Sequence, residues 1–223
     1  MDIETIRLKF RNNIWLPTFK NIRRRKLKNA NFTIISNNCW GGTIYESYGI
    51  RKLSPTVGMF IMPDDYLQLI ENLDYYLDQP LNFIDPNDSK WKNLLDEKRN
   101  WKTYPIARLD NIELHMLHYH DVQIARRKWE ARVKRVNRDK MIVKFNDQNG
   151  ASLSHIKKFA ELPIKNKLCF VADERLKVSP DVIYIKQPKR YSGNGIKASY
   201  EPFGKSRYID INRFINRMFL EEK

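Results

Sequence analysis

Cysteine is nearly absent from this chain. Only Cys39 and Cys169 occur in 223 residues, so a disulfide framework is excluded and a reducing, cytoplasmic setting is the simpler expectation. Histidine is almost as scarce, at four residues. Neither a C-x-x-C nor an H-E-x-x-H pattern is spelled out, which argues against a zinc site, and no metal is expected. No stretch approaches the roughly 18 consecutive apolar residues of a membrane span, and the mean hydropathy is −0.63. The first residues lack an apolar run ending in a small-residue cleavage site, so no secretory signal is expected. Internal repeats and low-complexity tracts are missing too.

What is present is a chain able to build a core. Apolar residues make up 42% and aromatics 12%, which excludes disorder and fits one domain. Positive charge dominates: 41 Lys and Arg against 26 Asp and Glu give a formal +15. Such a field draws polyanions, whether phosphorylated metabolites, anionic lipid or nucleic acid.

The excess is uneven. Residues 1–30 hold nine basic side chains against two acidic ones, interleaved with Ile, Leu, Phe and Trp. A basic segment with apolar partners suits an anionic membrane surface at the inner face of the plasma membrane, and a solvated helix is the plainer alternative. The run from Arg23 to Lys28 also fits a nucleic-acid patch, although nucleic acid is not the expected partner. The chain divides into a basic amphipathic leader at 1–30 and a domain at 31–223.

Beyond the leader, strands alternate with helices. Residues 32–36, 57–62, 106–119, 141–145, 168–172 and 182–185 read as strands. Helices are expected at 43–48, at 63–77 with Leu67, Ile70, Leu73 and Leu77 at helical spacing, at 122–136 behind the N-cap candidate Asp121, at 152–161 and at 208–219. Residues 80–105 read as a loop region. The pattern predicts a single α/β domain with a mostly parallel sheet flanked by helices.

In that class, ligands sit beyond the carboxyl ends of the strands. There the sequence places Asn37-Asn38-Cys39-Trp40-Gly41-Gly42, the stretch around His118, His120 and Asp121, and the turn holding Asp147. A cysteine between a strand and a helix start, beside two glycines, suits a nucleophile with its own backbone donors; a small buried thiol is the alternative. Cys169, inside an apolar run, reads as core. A thiol nucleophile needs a base and the base an orienter, so a Cys/His/Asp set is usable. In a strand, His118 and His120 share one face, so either can serve as base, with His115 behind them. Arg132 and Arg135 lie with Lys128 on one helix face, which fits a phosphate or pyrophosphate ligand, or merely solvent. Asn37, Asn38, Trp40, Gly41, Gly42, Arg132, Arg135 and Asp147 are thus the expected substrate-binding residues.

Three runs carry a resemblance. They are FTIISNNCWGGTIYESYGIRKLSPTVGMFIMPDDYLQLIENLDYYL, YPIARLDNIELHMLHYHDVQIARRKWEARVKRVNRDKMIVKFNDQNG and the closing FGKSRYIDINRFIN. Over about residues 30–216 the chain resembles a bacterial exopolysaccharide biosynthesis protein family (domain of unknown function nineteen-nineteen). Its members resemble enzymes of capsule and surface-polysaccharide clusters, some bearing acetyltransferase labels. The Cys-then-His order is also similar to a group described as papain-like cysteine peptidases. By position, Cys39 matches the family's strand-end Cys, and His118 with Asp121 falls in its H-Y-x-D stretch, to which this chain adds His120. The resemblance implies an acyl transfer, O-acetylation for example with acetyl-CoA as donor, onto a phosphorylated or lipid-linked sugar precursor. The alternatives are a non-catalytic peripheral membrane component that binds such precursors, and a glycosyltransferase, for which no D-x-D pair is present.

Overall fold

The structure, a computed structural model, describes residues 3–95, 101–187 and 195–220. Its centre is a wholly parallel sheet of β1 (Thr33–Ser36), β5 (Met141–Asn146), β6 (Lys167–Val171) and β7 (Val182–Tyr184), in the order β1-β5-β6-β7. Three of these strands are buried along nearly their whole length, which is why they read as short apolar runs without polar alternation.

The period of two divides their side chains between two layers. Ile35, Val143, Phe145, Cys169 and Val171 pack on one side with α4 (Pro63–Glu71) and α8 (Leu153–Glu161). Ile34, Ile142, Leu168 and Phe170 pack on the other with α3 (Trp40–Tyr48) and α9 (Ile211–Arg217). Ahead of the sheet, α1 (Ile3–Phe10) runs through a π-helical turn, Arg11–Trp15, into α2 (Leu16–Arg24), which packs on α3. The α/β architecture with a parallel sheet and flanking helices is therefore as expected, and the leader is helical.

A second sheet is not foreseen by the sequence reading. It is antiparallel, built from β2 (Asn82–Ile84), β3 (Ile106–Leu109) and β4 (Ile112–His115). The run 106–119 is thus a hairpin followed by a turn. Asp110 takes a left-handed backbone (φ 51°) and reverses the chain before Ile112. The expected strand at 57–62 reduces to one bridge between Phe60 and His115. Gly58 (φ +87°) breaks the extended path, and the ring of Tyr119 occupies the space a Cβ would need, 3.0 Å away. The expected helix 63–77 is interrupted at Asn72 (φ −133°, ψ 48°), so α4 is followed by a separate α5 (Leu73–Asp78). Within the expected loop region lie β2 and the short α6 (Lys92–Leu95), while 96–100 fall outside the described residues. Asp121 caps α7 (Val122–Val133) as expected, its carboxylate accepting from Ile124 N at 2.7 Å.

Candidate active site

Beyond the carboxyl end of β1 the chain turns sharply into α3. Asn38 closes that turn: its Oδ1 accepts from Trp40 N at 3.0 Å and from Ser36 Oγ at 3.2 Å. Cys39 then occupies the N-cap, and α3 starts with Thr43 N donating to Cys39 O at 3.1 Å. The two glycines let this helix lie close. A Cβ at Gly41 would stand 3.2 Å from Ile34 Cγ2, and one at Gly42 3.2 Å from Val57 Cγ1. Trp40 anchors the helix from beneath, its Nε1 donating to Pro202 O at 2.7 Å.

The partner arrives from the turn after β4. His118 N donates to Gly58 O at 3.0 Å, and Tyr119 donates its hydroxyl to Val57 O at 2.7 Å. Arg132, buried on α7, donates Nη1 to both Val57 O (3.1 Å) and Tyr119 Oη (2.5 Å). The loop at 54–59 and the turn at 116–121 are thereby bolted together. Their geometry brings His118 Nε2 to 3.1 Å from Cys39 Sγ, across 79 residues of chain. This is hydrogen-bond range for a nucleophile and its base.

The thiol is not a preformed thiolate. Burial pushes it up to about 11, Glu201 and Glu46 add to the rise, and Lys144 opposes it. The lowering expected from a helix N-terminus is outweighed by this desolvation. A thiol so raised keeps its proton at neutral pH, and His118 Nε2 stands within reach of it.

A cleft of about 710 Å³ opens at the pair. One wall is Gly42, Thr43 and Glu46 of α3. The other is the leader, which contributes Arg11, Asn12, Leu16, Pro17 and Lys20. Arg11 is fixed there by donating Nη1 to Ser199 O at 2.7 Å, and Lys52 is paired with Glu46 at 2.6 Å. Sequence reasoning missed these leader residues as site components. Their charge was visible, but the packing of α2 on α3 that turns them toward Cys39 was not.

The other expected site residues lie elsewhere. Asn37 and Asn38 are buried beneath the site in a polar network: Asn37 Nδ2 donates to Asn146 Oδ1 at 2.8 Å, and Asn38 Nδ2 reaches Glu201 Oε1 at 3.2 Å. At its centre Lys144 and Glu201 form an ion pair with neither side chain exposed. Asp121 spends its carboxylate on the α7 cap and makes no hydrogen bond to His118 among the described residues, so the contact joins Cys39 and His118 without it. His120 is exposed in the same turn, and His115 is buried, stacked on Phe60 at 4.6 Å between centroids. Arg132 faces the interior and not the cleft. Arg135 follows α7, outside the cleft lining. Asp147 brackets two loops, accepting from Ala172 N at 2.7 Å and Ile196 N at 2.6 Å, and borders a separate cleft of about 540 Å³. Among the described residues no three His, Cys, Asp or Glu side chains converge as metal ligands, and no helix is long and apolar enough to cross a membrane.

Comparison with known proteins places the chain in a family. The family described as "Domain of unknown function (DUF1919)" matches residues 10–217, and the chain belongs to it. The match starts inside the leader and takes in the whole of α2, Cys39 and His118. An "Uncharacterized protein" of Haemophilus influenzae (strain ATCC 51907 / DSM 11121 / KW20 / Rd) is 35% identical over 147 residues, 66% of this chain. The matched stretch spans 65% of that relative's length.

Proposed function

We propose that this member of the DUF1919 family is a cysteine-dependent acyltransferase acting on a surface-polysaccharide precursor, with Cys39 as nucleophile and His118 as base. The observation that carries the reading is the 3.1 Å contact between Cys39 Sγ and His118 Nε2 at the mouth of the cleft. In the first half-reaction the thiol proton passes to Nε2 while Sγ bonds to the acyl carbon. The imidazolium then protonates the departing thiolate of a thioester donor such as acetyl-CoA. In the second half-reaction His118 takes the proton of a sugar hydroxyl, whose oxygen attacks the thioester. The acyl–Sγ bond breaks, and the proton returns to Cys39. Gly41 and Gly42 lie in the first turn of α3, where backbone N–H groups have no intrahelical acceptor. Donors of that kind stabilise the oxyanion of both tetrahedral intermediates.

The cleft volume of about 710 Å³ suits a small-molecule site. Arg11 and Lys20 in its wall favour phosphate-bearing reactants, as on a nucleotide-linked or lipid-linked sugar. The capsule and exopolysaccharide setting and the likeness in Cys/His order to papain-like enzymes rest on the sequence resemblance, and the cytoplasmic location rests on the scarcity of cysteine.

The test is a covalent adduct. Incubation with acetyl-CoA and longer acyl-CoA donors is expected to acylate the peptide containing Cys39, and hydroxylamine to remove the group. Cys39→Ser should abolish the adduct, and His118→Ala should slow its formation by about 10²-fold or more. If none of the donors acylates Cys39, or if His118→Ala leaves the rate unchanged, the reading fails.

A further inference from the structure

We infer that the outer face of the N-terminal helix is a docking surface for an anionic lipid bilayer, and that it seats the Cys39 cleft at the membrane surface. From α1 through the π turn to α2 the backbone stays helical, with right-handed helical angles at the joints Phe10 and Leu16. Along this rod Ile3, Ile6, Phe10 and Ile14 recur at steps of three and four, which sets them on one face. Each is more than half exposed, from 51% at Ile6 to 74% at Ile3. Trp15 and Ile22 are exposed as well. Six of the fourteen exposed large apolar side chains among the described residues therefore come from this one segment. Single exposed apolar residues are ordinary, whereas a row of them marks a contact surface.

Charge decides what covers the row. Exposed Arg7, Lys9, Arg24 and Arg25 flank it, the pairing of apolar stripe and cations that an interfacial helix presents to lipid. Nucleic acid would satisfy the cations but leave Ile and Phe without a partner. A second copy of the chain would bring like charges together.

The inner face of the same helix cannot swing away freely. Leu16 is buried, and Arg23 donates to Ser47 O at 2.6 Å and to Leu16 O at 2.6 Å. Since Arg11 and Lys20 wall the cleft, a helix lying in the headgroup layer would hold Cys39 beside the bilayer. Resting on the acyl transfer proposed above, this narrows the acceptor to a lipid-linked sugar phosphate whose chains remain in the membrane.

The full chain is sedimented with vesicles of phosphatidylglycerol mixed into phosphatidylcholine, and with pure phosphatidylcholine. Binding is expected only to the anionic vesicles, and it should fall as salt is raised from about 0.1 to 0.5 M. Ile6→Glu with Phe10→Glu, both at exposed positions, should weaken it by about tenfold or more. The same variant should still acylate Cys39 from a soluble donor, and Cys39→Ala should bind vesicles like the parent, which separates failure of docking from failure of the chemistry. Equal binding to both vesicle types would overturn the inference. So would unchanged binding by the double variant, or sedimentation equilibrium showing a dimer that those substitutions dissociate.

Discussion

The Lys144–Glu201 pair sits under the nucleophile, and both of its side chains are fully buried. Lys144 Nζ also donates to Asn38 Oδ1 at 2.9 Å, and Glu201 Oε1 accepts from Asn146 Nδ2 at 2.9 Å. Lys144→Met keeps the aliphatic length but leaves the carboxylate with amide donors alone. Glu201→Gln keeps the shape and leaves an unmatched ammonium. Removing one member of a buried pair costs about 3–5 kcal/mol, since the survivor stays desolvated and unpaired. The double variant should cost less than the two single losses together, by about 2 kcal/mol. Urea titrations followed by tryptophan fluorescence measure all three, and Trp40, with Lys144 Nζ 5.9 Å from its ring, makes a local probe. A second readout distinguishes charge from general loosening. Glu201 raises the Cys39 thiol and Lys144 lowers it. Glu201→Gln should therefore speed iodoacetamide alkylation of Cys39 at fixed pH in the folded protein, and Lys144→Met should slow it, although both destabilise. A double variant whose loss equals the sum of the singles, or two singles that move alkylation the same way, would refute this account.

Two further outcomes follow from the same geometry. In the native protein, alkylation should label Cys39 ahead of Cys169, which is fully buried, and its rate should keep climbing toward about pH 11. A plateau near the ordinary thiol value of about 8.5 would show that burial does not govern the group. Arg132→Ala removes the charged donor shared by Val57 O and Tyr119 Oη, leaving Val57 O only the Tyr119 hydroxyl, and should cost about 1–3 kcal/mol in thermal or urea unfolding, together with slower acylation of Cys39 as the 116–121 turn loosens. Unchanged stability with weakened phosphate-ligand affinity would instead make Arg132 a ligand residue.

How much of this was legible depended on whether a signal was local. The strands at Thr33–Ser36 and Lys167–Val171 announce themselves because burial on both faces leaves continuous apolar runs, and Asp121 announces α7 because a cap is a short-range hydrogen bond. The second sheet does not. Asn82–Ile84 is three residues with no periodicity, and the Asp110-Asn111 reversal is hidden inside a run that is apolar on either side. Cys39 stood out as a thiol in a polar turn, yet the choice between His118 and His120 hinged on backbone shape. In an extended strand both face one way, but the chain curls after Met116, where Tyr119 N donates to Met116 O at 2.9 Å, and only His118 comes to the sulfur. Arg132 shows the limit most sharply. Its helical spacing with Lys128 and Arg135 is real, and periodicity alone ranks all three as surface cations. Tyr119 and Val57, 13 and 75 residues away, make Arg132 an interior brace. Lys144 left a trace of the opposite kind: a lone cation inside the run Met141–Asn146 breaks the pattern, and a buried lysine requires a buried carboxylate. The sequence offered no way to choose which carboxylate, because Glu201 reaches it only when the chain end folds back across the sheet.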